Sequence, residues 1–221
     1  MNRLIRVYAT RATIEDAIQR HLPDVSFGIT GDGRDYAVYF TGLDETEGDV
    51  LDDLFGETIY GDGDADLAAT LVDLLDEYGI RMSVAESCTG GMLASALVDR
   101  PGASEVFYEG LVTYSNSAKI DRLGVGEDTL YDYGAVSEET ALEMANGLLN
   151  DNVAIGVSTT GIAGPGGGTN EKPVGLVYIA VVSENGSEVF RNVFEGGRND
   201  VRRQARDTAL FYTIRHIKKY F

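Results

Sequence analysis

Val153-Ala154-Ile155-Gly156-Val157-Ser158-Thr159 is almost unbroken in apolar and small residues, and it runs straight into Thr160-Gly161-Ile162-Ala163-Gly164-Pro165-Gly166-Gly167-Gly168-Thr169. The first part predicts a strand of a sheet covered on both faces, because a half-exposed strand would alternate with polar residues. The second part is a loop at that strand's carboxyl end, where open α/β sheets place their ligands. Its five glycines allow close backbone approach, as a phosphate-binding nest needs. The Gly-Lys-Ser/Thr ending of a P-loop and the G-x-G-x-x-G spacing are both missing. A connecting loop or lid is the competing reading, but it does not explain hydroxyls at the strand end.

Outward from this point, helix and strand patterns alternate. Leu67–Tyr78 has leucines at helical spacing, and Gly79 fits its C-terminal stop. Arg81–Ala85 reads as a short strand, Met92–Val98 as a helix and Glu109–Tyr114 as a strand. Ser137 is placed to cap a helix over Glu138–Leu149. Val174–Ser183 and Ser187–Phe194 read as strands turned at Asn185-Gly186, and Asp200–Tyr220 as a closing helix. The expected fold class is α/β, a three-layer α/β/α sandwich over residues 64–221. Before it, residues 1–60 read as a small α+β unit. It has strands at Leu4–Tyr8, Val25–Ile29 and Tyr36–Thr41, and helices at Thr13–Leu22, capped by Thr13, and at Glu47–Phe55. Segment 56–66, rich in glycine and acids, reads as a linker.

The composition narrows the function classes. In 221 residues there are 36 Asp and Glu against 18 Lys and Arg, a net charge of -18. Such a surface argues against nucleic acid as a partner, since that affinity rests on neutralising phosphates. It fits a protein of a salty cytoplasm, a halophile's for example, where self-repulsion is screened. Cys88 stands alone, so no internal disulfide or Cys-rich metal site is expected. His21 and His216 are far apart, which argues against a histidine triad. No stretch approaches the roughly 20 apolar residues of a membrane span, and no membrane partner is expected. No secretion signal is evident at the N-terminus, so a cytoplasmic location is expected.

Two more segments could carry chemistry. Glu86-Ser87-Cys88-Thr89-Gly90-Gly91 lies between a strand and a helix, where hydroxyls and N–H groups offer an anion site. Ser87 or Thr89 acting as an ordinary cap explains the pattern equally well. Cys88, at the helix start, is a legitimate nucleophile or a small buried hydrophobe. In Ser104–Lys119, a serine and a desolvated lysine could form a nucleophile–base pair. On pattern alone, Ser104 as a helix cap and Lys119 as a surface charge is the better reading. Arg202, Arg203 and Lys172 are either anion ligands or exposed charges.

Five motifs occur in order: Ala85-Glu86-Ser87-Cys88-Thr89-Gly90-Gly91, Val112-Thr113-Tyr114-Ser115-Asn116, Gly134-Ala135-Val136-Ser137, Gly161-Ile162-Ala163-Gly164-Pro165 and Glu171-Lys172-Pro173-Val174-Gly175. Together they resemble the C-terminal domain of the CinA family over roughly residues 64–215. Residues 1–60 resemble, more weakly, that family's small KH-like domain. The resemblance implies hydrolysis of nicotinamide mononucleotide to nicotinic acid mononucleotide and ammonia, as in nicotinamide-nucleotide amidases. It implies Ser104 as nucleophile, with Tyr114 and Lys119 as its partners. Ser87, Thr89, Gly90, Gly161, Gly164 and Gly166 would hold ribose or phosphate. Groups near Thr160 would stabilise the oxyanion, and Arg202 would meet the phosphate charge. No metal or organic cofactor is implied. The expected partners are a small pyridine nucleotide and further copies of the chain, as a dimer or larger homo-oligomer. A nucleotide-binding regulatory module without turnover is the alternative.

Overall fold

The computed structural model describes all residues, 1–221, and they fall into two compact units, Met1–Thr70 and Leu71–Phe221. The first unit holds β1 (Arg3–Tyr8), α1 (Arg11–His21), β2 (Ser26–Asp32), β3 (Asp35–Thr41), α2 (Glu45–Phe55) and β4 (Ile59–Asp62). Its sheet is antiparallel in the order β2-β3-β1-β4. Ile5, Val7, Val38 and Phe40 alternate along the strands and bury one face against Ile14, Ile18 and Leu51 of the helices.

Three expectations for this unit need correction. Segment 56–66 is not simply a linker, because β4 pairs with β1, Val7 lying opposite Ile59 and Ile5 opposite Asp62. The division between units falls after Thr70 and not at residue 60. Thr10, not Thr13, caps α1: its side chain accepts from the Thr13 N–H. The helix α2 starts at Glu45, where Asp44 and Glu47 bond reciprocally to each other's backbone in a capping box.

The helix α3 (Leu67–Glu77) crosses the division, and the second unit continues with β5 (Met82–Glu86), α4 (Met92–Val98), α5 (Ala103–Val106), β6 (Phe107–Val112), α6 (Asn116–Leu123) and α7 (Glu127–Asp132). It closes with α8 (Glu138–Asn146), β7 (Ile155–Gly161), β8 (Leu176–Ser183), β9 (Gly186–Val193) and α9 (Arg198–Tyr220). The sheet order is β6-β5-β7-β8-β9, with β6, β5 and β7 parallel and the β8–β9 hairpin antiparallel. The apolar run read from the sequence is β7, set two residues later than Val153–Thr159, and every residue from Ile155 to Thr160 is buried.

Alternation along β7 shows why both faces are dry. Ser158 donates to the Ala141 carbonyl of α8, so its side chain points to that layer. Gly156 shares this face, and a Cβ there would lie 2.2 Å from the Ala145 oxygen, so α8 can approach only a glycine. Thr159 points the other way and meets Thr89, whose carbonyl is held by Arg202 of α9. With period-two geometry, α8 and α9 therefore cover opposite faces of the sheet, the expected α/β/α sandwich. The parallel strands β5, β6 and β7 deliver their carboxyl ends, with the three motif loops, to one edge. No helix is long and apolar enough to cross a membrane.

Candidate active site

The three strand ends are fastened to one another one step beyond the sheet. The Ser87 N–H donates to the Thr159 carbonyl at 2.9 Å, and the Thr113 N–H to the Glu86 carbonyl at 2.9 Å. Ser87, Thr113 and Thr159 are thereby set side by side. Glu86, 1% exposed, turns its carboxylate into the start of α4, where it accepts from the N–H groups of Gly91 (2.9 Å), Leu93 (3.1 Å) and Ala94 (2.8 Å). Of the donors expected to meet an anion at 86–91, the Gly91 N–H is thus taken by an internal carboxylate. What remains is the arch above. The N–H groups of Thr89 and Gly90 make no backbone–backbone hydrogen bond.

Lys119 comes to this arch from α6, whose first turn is capped by Ser115 accepting from the Ala118 N–H. Its side chain runs inward and is 1% exposed. Nζ lies 3.1 Å from Ser87 Oγ and donates to the Thr113 carbonyl at 2.8 Å. Neither partner is charged, and burial lowers the Lys119 pKa below its ordinary 10.5. The site therefore contains a hydroxyl beside a buried amine biased toward its neutral, basic form.

Ser104 is not part of it. It sits exposed on α5, 3.5 Å from the Glu105 carboxylate. The strand β6 lies between α5 and the Thr113–Lys119 segment, and six residues at ~3.3 Å each span roughly 20 Å. Ser104 and Lys119 thus lie on either side of that strand, and no hydrogen bond joins them within the chain. The serine that the fold brings to Lys119 is Ser87. Cys88 also loses its standing as a nucleophile, because burial pushes its thiol up to about 12.

Tyr114 is 63% exposed, and its hydroxyl accepts from Arg198 Nη2 at 3.2 Å. Arg198 Nη1 donates to the Gly164 carbonyl at 2.9 Å. Arg202 is inside the structure of the arch: Nε donates to the Cys88 carbonyl (3.1 Å), Nη2 to the Thr89 carbonyl (2.8 Å) and Nη1 to Asn199 Oδ1 (3.2 Å). It is a clamp with its three nitrogens committed, not an idle phosphate ligand. Thr89 Oγ1 is 2.6 Å from Thr159 Oγ1, and Thr160 Oγ1 donates to the Ala135 carbonyl at 2.5 Å, so neither hydroxyl is idle. Gly161 and Gly164 are required by packing, since a Cβ would lie 2.6 Å from the Leu176 oxygen and 2.6 Å from Val174 Cγ1 respectively. Gly166 faces open space.

The sequence reading missed Glu86 and Arg198. The only sequence signal for either is an acid at a strand end and an arginine just after Gly196-Gly197. It also missed a polar chain at the other end of the sheet. His216, fully buried, has Nε2 2.8 Å from Ser183 Oγ and Nδ1 3.2 Å from Glu188 Oε2, while Lys219 donates to Glu188 Oε1 at 2.8 Å.

The family model described as the CinA C-terminal domain matches residues 64–217. A Clostridium perfringens protein named for competence and damage induction is 47% identical over 197 residues, which is 89% of this chain and 48% of that protein. A CinA-like protein of Fusobacterium nucleatum is 50% identical over 165 residues, 74% of this chain and 40% of its own. The chain thus spans about half the length of such relatives or less. Among solved structures, the competence/damage inducible protein CihA of Agrobacterium tumefaciens aligns with a TM-score of 0.64 and 46% identity, covering 65% of this chain and 89% of that one. The competence damage-inducible protein A of Klebsiella pneumoniae aligns with a TM-score of 0.68 and 34% identity, covering 70% and 97%.

Proposed function

Because the chain belongs to the family of the CinA C-terminal domain, we propose that it hydrolyses the carboxamide of nicotinamide mononucleotide, with Ser87 as nucleophile and Lys119 as its base. One observation carries the reading: a serine hydroxyl 3.1 Å from a buried lysine amine whose other hydrogen-bond partner is a neutral carbonyl.

The chemistry follows from that placement. Neutral Lys119 takes the Ser87 proton as Oγ bonds to the amide carbon. The carbonyl oxygen gains a negative charge, and the N–H groups of Thr89 and Gly90, which follow Ser87 in the same loop, are the donors assigned to receive it. Such a donor is worth about 3 kcal/mol in the transition state. Lys119 returns the proton to the departing nitrogen, and ammonia leaves. Water then cleaves the ester on Ser87, with Lys119 accepting its proton and passing it to the departing Ser87 Oγ, and nicotinic acid mononucleotide is released. Thr113 holds Nζ in place through its carbonyl. Tyr114, at the mouth, offers its ring and hydroxyl to the substrate.

Ammonia release by the whole chain tests this, with nicotinamide mononucleotide, nicotinamide riboside and free nicotinamide run in parallel. Turnover fastest on the mononucleotide is expected. Tight mononucleotide binding without ammonia from any of the three would make the chain a nucleotide-binding module instead.

A further inference from the structure

The first two turns of α9 are where all three motif loops meet. Arg202 holds the Ser87 arch through the Cys88 and Thr89 carbonyls. Arg198, one turn earlier, joins the Tyr114 segment to the glycine-rich loop through Tyr114 Oη and the Gly164 carbonyl. The two arginines differ in what they have left. Arg202 spends three of its five hydrogens, Nε–H included, and moving it would strand two carbonyls beside the nucleophile. Arg198 uses one hydrogen on each Nη, so Nε–H and a second hydrogen on each Nη remain of a guanidinium's five.

Arg198 is exposed and makes no ion pair with any carboxylate, in a chain with 36 acids and 18 bases. Arg203, one turn further along the helix, does pair, with Asp200. A cation in the first turn also opposes the helix dipole, so the stability of α9 does not account for the residue. Its position accounts for it better. A planar fork on Tyr114, the residue next to the Thr113 carbonyl that holds Lys119, is suited to bidentate recognition of a phosphate.

We propose that Arg198 is the specificity-determining residue of this site, recognising the phosphate monoester of a 5′-mononucleotide while it holds Tyr114 and the Gly164 loop against the ligand. The reaction it serves rests on the amidase reading above; the binding preference does not. A nucleoside or a free base gains nothing from the fork, so the preference for a phosphorylated substrate resides in this one side chain.

The test is titration calorimetry on the whole chain with nicotinic acid mononucleotide and nicotinic acid riboside, for the parent, Arg198→Ala and Arg198→Lys. Removing a charge-assisted contact should weaken the mononucleotide roughly 10- to 100-fold. The riboside should weaken less than about threefold, and lysine should restore part of the loss as a point charge. Where ammonia is released, the same contrast should appear in KM and spare kcat. Equal weakening of both ligands would reduce Arg198 to a structural tie, and an unchanged mononucleotide affinity would remove it from the site. A parent protein that binds mononucleotide selectively but releases no ammonia would overturn the amidase reading and leave the Arg198 inference standing.

Discussion

Lys119 Nζ and Ser87 Oγ lie 3.1 Å apart inside the protein, although 32 residues separate them in the chain. Everything between them in sequence (α4, α5 and β6) serves to return the backbone to the same edge of the sheet. Both hydrogen-bond partners of Nζ are neutral, and burial outweighs the neighbouring Cys88 in lowering the amine's proton affinity.

That burial gives a pH profile. The Lys119 pKa lies below 10.5 because the charged form is desolvated. Only the neutral amine can take the Ser87 proton, so kcat/KM should climb with pH through the lowered pKa and level off before 10.5. The folded state binds fewer protons there than the unfolded chain, so this group also costs stability at neutral pH, a cost that fades as pH approaches 10.5. Lys119→Met should lose activity by roughly a thousandfold or more while melting no lower than the parent. A flat pH–rate profile from the parent enzyme would contradict the assignment.

Glu86 should matter for stability before chemistry. Three backbone donors converge on its carboxylate. Glu86→Ala leaves them buried without an acceptor and should cost about 2–3 kcal/mol in urea unfolding. Glu86→Gln retains one acceptor oxygen and should cost about half as much. Equal unfolding midpoints for parent and alanine variant would mean the cap is dispensable.

Cys88 should be inert. With its thiol pushed up to about 12 by burial, almost no thiolate exists near neutral pH. Cys88→Ala should slow turnover by less than about tenfold, and iodoacetamide should leave most activity in place. Rapid inactivation by the reagent at pH 7, blocked by substrate, is the outcome that fails this prediction.

The far end of the sheet should respond to acid. Burial lowers the His216 pKa below 6.5, and Lys219 and His216 together hold the Glu188 pKa below 4.5. The unfolded chain therefore binds more protons than the folded one as pH falls through 6.5, and again through 4.5. Stability from His216 is complete above 6.5 and shrinks below it; that from Glu188 is lost below 4.5. His216→Gln should flatten the first of these losses in a series of unfolding curves at stepped pH. An unchanged dependence between roughly pH 5 and 7 would show that His216 does not drive it.

Much of this fold is legible in the chain. The unbroken apolar run of β7 announces a sheet covered on both faces, and Ser137 and Gly79 mark helix ends by local chemistry alone. The strand β4 is not legible: Ile59-Tyr60-Gly61-Asp62 carries too few strand formers, and its partner β1 supplies what propensity lacks. The site divides in the same way. Its loops are named by glycines and hydroxyls at strand ends, but which serine serves Lys119 is not a matter of order along the chain. Ser104 is nearer in sequence, yet β6 carries the backbone the length of the sheet between them. Ser87 is farther in sequence and lies on the correct edge. Glu86 and Arg198 escape notice because their partners are backbone groups and a tyrosine hydroxyl, which leave no pattern in composition.

The most direct measurement is therefore steady-state ammonia release from nicotinamide mononucleotide by Ser87→Ala and Ser104→Ala, assayed beside the parent chain. Ser87→Ala should lose roughly a thousandfold or more in kcat while staying folded, since Ser87 carries the only hydroxyl hydrogen-bonded to Nζ. Ser104→Ala, altering an exposed side chain at the other end of β6, should remain within about threefold of the parent. An active Ser87→Ala protein beside a folded but inactive Ser104→Ala protein would contradict the account.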